Sequence, residues 1–187
     1  MICKYYPLAH LKDADLSDPE RVMILDVETT GLNSELCDIL QCAIIDGNGQ
    51  MLHNRFYDSL MLSWPEAEAV NRISKSMVDG LPLFCDECEE VTEILSDASV
   101  IMGYNVVFDL SFLEAGGVRL PDEVQIVDVM QEYSLWANVM VPKRFSLTSA
   151  SRYLNIVNVN EHDALDDSCA TLEIANILMG GSLWGVE

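Results

Sequence analysis

Two acids spaced i, i+2 close an apolar run, Met23-Ile24-Leu25-Asp26-Val27-Glu28, and Thr29-Thr30-Gly31-Leu32 follows. On a strand that spacing puts both carboxylates on one face. The Thr-Thr-Gly is turn-like and ends the strand. Paired acids at the end of a buried strand repel each other and lose hydration. A divalent cation is the usual compensation, so the motif points to a Mg²⁺ or Mn²⁺ site. Three further segments carry candidate chemistry. Asp109 stands in Gly103-Tyr104-Asn105-Val106-Val107-Phe108-Asp109-Leu110-Ser111-Phe112-Leu113, at a strand-to-helix junction where site residues of open sheets gather. Asp128 closes the next strand. His162-Asp163-Ala164-Leu165-Asp166-Asp167 opens the last helix, with His162 in the loop ahead of it. Hard cations take oxygen ligands, which carboxylates supply without thiolate or imidazole.

Each feature also has a plain structural reading. Asp26 and Glu28 could be a solvated strand end. Asp109 and Asp167 could be helix N-terminal acids that favour the helix dipole. His162 could be a surface or capping histidine. These readings require the segments to stand apart in space, whereas the chemical reading requires Asp26 to lie near Asp109 and Asp167.

The elements that must position these residues follow from periodicity. Strands are expected at about 22–28, 39–46 and 51–58, with Asp46-Gly47-Asn48-Gly49 turning between the second and third, an antiparallel meander. Short helical turns are expected at 65–71 and 74–79. A helix over 86–97 places Phe84, Cys88, Val91, Ile94 and Leu95 on one face. A fourth strand over 100–104 leads to a helix from Asp109 to Ala115, ended by Gly116-Gly117. A fifth strand starts at 125–127, and a helix follows over 129–138. Ser146 caps a short helix, and the last helix runs over 164–179. A meander followed by alternating strands and helices predicts an α/β fold, a mixed five-stranded sheet flanked by helices. Residues 1–20 read as an N-terminal extension, 21–180 as one domain and 181–187 as a tail.

Asp26-x-Glu28-Thr29-Thr30-Gly31, Asn105-x-x-Phe108-Asp109-x-x-Phe112-Leu113 and His162-x-Ala164-x-x-Asp167, taken in order, resemble the three exonuclease motifs of the DEDDh family. That family includes the proofreading epsilon subunit of bacterial replicative polymerase, ribonuclease T and oligoribonuclease. The resemblance covers about residues 20–180. It implies a ribonuclease H-like fold and 3′→5′ removal of nucleotides by two-metal hydrolysis, with two Mg²⁺ or Mn²⁺ ions. It assigns Asp26, Glu28, Asp109 and Asp167 as the metal-binding acids and His162 as general base. The chemistry agrees with these implied roles: two metals about 4 Å apart activate a water and stabilise charge on the leaving oxygen, and a histidine with a pKa near 7 suits removal of the water's proton from a loop that can swing in when substrate arrives. The family's spacing of histidine plus five favours Asp167 over Asp166, and leaves Asp163 and Asp166 facing outward or behind the ligands. Thr29 and Leu32 match positions that contact the terminal nucleotide, through a backbone N–H or hydroxyl at Thr29 and a wedge at Leu32. Asn105 would orient the site through its amide or cap the helix. Phe112 would stack on a base or fill the core, the usual role of a helix aromatic at this spacing. The chain departs from the family at Tyr104 and at Asn71-Arg72-Ile73, where histidines are common. Both lie where substrate is held, so the choice between DNA and RNA stays open.

The 187 residues suit one domain, and no apolar run reaches the roughly 18–20 residues of a membrane span. The N-terminus lacks the apolar core of a secretory signal. Six cysteines show no disulfide framework, which points to a reducing cytoplasm. Cys85-x-x-Cys88 is half a zinc motif without a second pair. The formal charge of −21 argues against a broadly basic nucleic-acid surface and predicts weak grip on long duplexes. Basic residues cluster only at Arg72 with Lys75, and at Lys143, Arg144 and Arg152. The expected partner is a single-stranded DNA or RNA 3′ end. The chain stops soon after the last helix, so a stand-alone enzyme is expected, or one that meets a polymerase or other protein through its own surface. The alternatives are an enzyme that clears short oligonucleotides and a non-catalytic acidic binding module.

Overall fold

The computed structural model describes residues 6–137 and 145–181. Five strands form one sheet: β1 (Val22–Thr29), β2 (Ile39–Asp46), β3 (Met51–Phe56), β4 (Val100–Gly103) and β5 (Gln125–Asp128). Their order is β3-β2-β1-β4-β5, with β1, β2 and β3 antiparallel and β4 and β5 parallel to β1. Seven helices are described: α1 (Pro65–Asn71), α2 (Lys75–Val78), α3 (Phe84–Ser96), α4 (Val106–Ala115), α5 (Val129–Trp136), α6 (Leu147–Leu154) and α7 (Ala164–Leu178). This is the ribonuclease H-like α/β arrangement, a mixed sheet between two helical layers. Among the described residues no helix is long and apolar enough to cross a membrane.

Strand β1 is buried on both faces, and its alternation sorts the core. Met23, Leu25 and Val27 pack against Phe84, Val91 and Leu95 of α3 and Val106, Leu110 and Leu113 of α4. Val22 and Ile24 face the other way, toward Tyr133 of α5, Ala150 of α6 and Leu172, Ile174 and Ala175 of α7. Period-two alternation carries that second face on to Asp26 and Glu28. The apolar side of the strand therefore becomes acidic under the N-terminus of α7.

Local chemistry sets the turns. Asp46 Oδ1 accepts from the N–H groups of Asn48 and Gln50, at 2.9 and 2.8 Å, which closes the β2–β3 hairpin. Strand β3 ends at Phe56 rather than 58, because Tyr57 turns inward to lie fully buried against Phe84. Helix α4 begins at Val106, three residues before the expected Asp109. Asn105 occupies the left-handed region (φ 71°), and its N–H donates to Asp128 Oδ1 at 3.0 Å. That contact turns the chain into the helix early and leaves Asp109 within the first turn. Position 138, the expected end of α5, lies outside the described residues, as do Lys143 and Arg144. Cys88 donates to the carbonyl of Cys85 and packs on the core. Ahead of β1, Leu8 forms a parallel bridge with Ile126 of β5, and Leu11 is buried among α5–α7 side chains.

Candidate active site

A cleft of about 190 Å³ opens at the carboxyl ends of β1 and β4. Asp26, Glu28, Asp109, Asp167 and His162 all line it, with Tyr104, Phe108 and the Ser146–Thr148 stretch at the start of α6. Three chain segments distant in sequence thus meet in one place. Ligand atoms of Glu28, His162 and Asp167 lie within 4.8 Å of one another.

Each acid has its own support. Strand β4 ends at Gly103, whose missing side chain allows close approach to the Leu25 carbonyl; a Cβ there would lie 3.0 Å from that oxygen. Past Gly103, Val27 has no β4 partner, and its N–H donates to Asp109 Oδ1 at 3.2 Å. Burial holds the Asp109 carboxyl well above the usual carboxylate range, against the pull of the Val27 N–H. Asp26 is raised well above that range too, first by burial and then by Asp109, Glu28 and Asp167. Glu28 is pushed up to about 8 by burial and by Asp167, while a hydrogen bond from Asn71 pulls it down. Asp167 is raised by burial and restrained by two donors, the Asn158 amide at 2.5 Å and the His162 backbone N–H. His162 is exposed on the loop before α7 and adopts φ 67°.

Burial raises all four carboxyls, and the described lining contains no lysine or arginine, so the cluster could hold a cation. The donor set is oxygen apart from one imidazole, which suits hard divalent ions.

Around this cluster the neighbouring acids have other tasks. Asp163 caps α7, accepting from the N–H groups of Leu165 and Asp166. Asp166 accepts from the backbone and side chain of Asn160. Asp128 caps α5 through Met130 N–H and fixes Asn105. Thr29 is 7% exposed, and its hydroxyl donates to the Gly31 carbonyl at 2.7 Å, so the hydroxyl contact expected for a substrate is committed to the turn. Leu32 stands 88% exposed on the following loop. Asn105 takes the N-cap position of α4, but its side chain makes no capping bond. Phe112 is 2% exposed in the core, whereas Phe108, whose ring packs on Phe112, lines the cleft. Lys75 is held by Asp58 and the Ser59 carbonyl.

Asn71, Asn158 and Gln41 support the site without having been singled out as ligand supports. Asn71 also donates to the Thr29 carbonyl at 3.1 Å, and Gln41 bonds to Asp163 and to the Ala164 N–H. For Asn71 a signal existed in the sequence, since it opens a segment that departs from the family pattern. Asn158 lies in a loop with no periodicity to mark it.

Fold and cleft together define a ribonuclease H-like domain with an acidic centre at the carboxyl ends of its parallel strands. The family model RNase_T, described as "Exonuclease", matches residues 23–175, and the chain belongs to that exonuclease family. It is 28% identical over 182 residues to the DNA polymerase III subunit epsilon of Rickettsia conorii, covering 86% of this chain and 74% of that protein. It is 31% identical over 163 residues to the 3′-5′ exonuclease DinG of Bacillus subtilis, covering 81% of this chain. The chain spans only 17% of DinG, and 11% of a PolC-type DNA polymerase III of Clostridium perfringens. It shares its fold with E. coli exonuclease I, solved with a dT13 oligonucleotide, at a TM-score of 0.67 and 17% identity over 86% of this chain and 41% of that one.

Proposed function

We propose that this domain is a DEDDh exonuclease that removes nucleotides from the 3′ end of single-stranded nucleic acid, releasing nucleoside 5′-monophosphates. The observation that carries the reading is the convergence of Asp26, Glu28, Asp109 and Asp167 in one open cleft, with His162 at its rim. The names of the relatives support it: DinG is a 3′-5′ exonuclease, and exonuclease I was solved with a single-stranded oligonucleotide. The polymerase III relatives support a polymerase or another protein as a partner.

In this reading the four carboxylates hold two divalent cations, Mg²⁺ or Mn²⁺. Such ions, when bound, stabilise charge on the phosphate and make a water acidic. His162 takes the proton from the attacking water, and its exposed loop position lets the imidazole reach that water. Tyr104, Phe108 and Leu147 line the cleft beside the acids. Leu32 wedges against the last base, the Thr29–Gly31 turn and Asn105 receive the terminal sugar, and Phe108 offers a ring for stacking.

Clearing of short oligonucleotides is the second reading, favoured by the charge of −21, which weakens hold on a long phosphate backbone. The test uses 5′-labelled single-stranded DNA and RNA of graded length with Mg²⁺ or Mn²⁺, comparing wild type with Asp26→Ala. A ladder shortening from the 3′ end and lost in Asp26→Ala is expected, and its length dependence separates the two readings. No cleavage of either polymer with either metal would refute both and leave a non-catalytic acidic module.

A further inference from the structure

Gln41 is 1% exposed on β2, directly opposite Glu28 of β1. Directly paired residues of an antiparallel ladder share a face, so its amide lies on the acidic side of the sheet. Its Nε2 donates to Asp163 Oδ2 at 3.1 Å and to Asn54 Oδ1 at 3.0 Å, and its Oε1 accepts from the Ala164 N–H at 3.2 Å. Asp163 in turn holds the N–H groups of Leu165 and Asp166 at 3.1 and 3.3 Å. One buried amide therefore ties the sheet to the cap and the first residue of α7. His162 immediately precedes this tie, and Asp167 lies one helical turn beyond it, its N–H donating to the Asp163 carbonyl at 2.9 Å.

We propose that Gln41 is a positioning residue: by holding Asp163 and Ala164 on the sheet, it sets where His162 and Asp167 stand over Asp26 and Glu28. The proposal rests on the nuclease reading above. The site demands an amide. Asp163 needs a donor and the Ala164 N–H needs an acceptor, and glutamine offers both from one rigid plane. Glutamate would keep the acceptor but set a second carboxylate against Asp163. Asparagine at 163 would keep the helix cap but set its NH₂ against the NH₂ of Gln41. Combined, Gln41→Glu and Asp163→Asn reverse the direction of the bond: the new carboxylate accepts from the new amide and from Ala164, Asn54 can turn its amide to donate, and one negative charge remains.

The experiment measures steady-state exonuclease kinetics and amide hydrogen exchange on the full chain for Gln41→Glu, Asp163→Asn, the double variant and Asp163→Ser, which keeps a capping oxygen but falls short of Gln41. Misplacement of a catalytic group by about 1 Å costs about 100-fold, so each single variant should lose at least about 10-fold in kcat with KM changed less than about twofold. The double variant should return to within about threefold of wild type. A general structural weakening would not be repaired by adding a second substitution. Exchange at the Ala164 and Asp167 amides should quicken in the single variants and recover in the double, while β1 amides stay unchanged. Wild-type kcat in every single variant, or a double variant as slow as the product of the singles, would overturn the proposal. If wild type cleaves nothing, the nuclease reading falls on its own. Exchange then decides the tie, and unchanged protection of Ala164 in the single variants overturns it.

Discussion

Without metal, the acidic cluster should make this fold less stable as pH rises through neutrality, and Glu28 is the group that allows a magnitude. Its carboxyl rises from 4.5 to about 8 through burial and the charge of Asp167. Between those values the folded state holds a proton that the unfolded chain has released. Stability from this group is therefore fully present below pH 4.5 and is lost as pH rises to about 8. At about 1.4 kcal/mol per pH unit, the loss sums to about 5 kcal/mol, an appreciable share of the 5–15 kcal/mol that holds a domain together. Glu28→Gln removes the titration, and Mn²⁺ opposes it by favouring the ionised form. The assay is urea unfolding in EDTA at pH 5, 6, 7 and 8, followed by the fluorescence of the buried Trp64. Wild type should lose several kcal/mol more than Glu28→Gln across this range, and added Mn²⁺ should flatten the wild-type curve. Asp26 and Asp109 are present in both proteins and are themselves raised in part by the Glu28 charge, so the difference reports Glu28 together with its repulsion of these two acids. Equal pH slopes for the two proteins, within about 1 kcal/mol, would refute the reasoning.

Asn71→Ala removes a donor to the Thr29 carbonyl and to the Glu28 carboxylate, so it should weaken Mn²⁺ binding in calorimetry by about 10-fold. Binding equal to wild type would show that Asn71 does not orient Glu28. Asp128→Ala strips the acceptor from the N–H groups of Asn105 and Met130, both at 3.0 Å, and should cost about 2–4 kcal/mol in urea unfolding. A loss under about 0.5 kcal/mol would mean that water replaces the carboxylate.

The sheet was legible because its strands carry their own signals. The apolar run of β1, the Asp-Gly-Asn-Gly turn after β2 and the stripe of α3 each follow from local chemistry, and the structure places all three as expected. The start of α4 was not legible, because it depends on Asp128, a residue 23 positions from Asn105. Asp26, Glu28, Asp109, Asp167 and His162 could be named because ordered motifs mark them. Of their supports only Asn71 carried a mark, as the start of a segment that departs from the family pattern; Gln41 and Asn158 act through contacts between segments that no spacing encodes. Phe112 and Phe108 stand four apart on one helix, and helical spacing favoured the core for Phe112. The structure gives the core to Phe112.

The first described residues do more than precede the domain. Leu8 bridges Ile126, and the Ala9 N–H donates to the Ile126 carbonyl at 2.8 Å, so a short length of extended chain lies along the outer rim of β5. An uncovered strand rim is a template on which another chain can add itself. A version trimmed to begin at Val22 would keep all five candidate catalytic side chains and yet lay that rim bare. The segment covers that rim, and its removal is expected to show as self-association when the protein is concentrated.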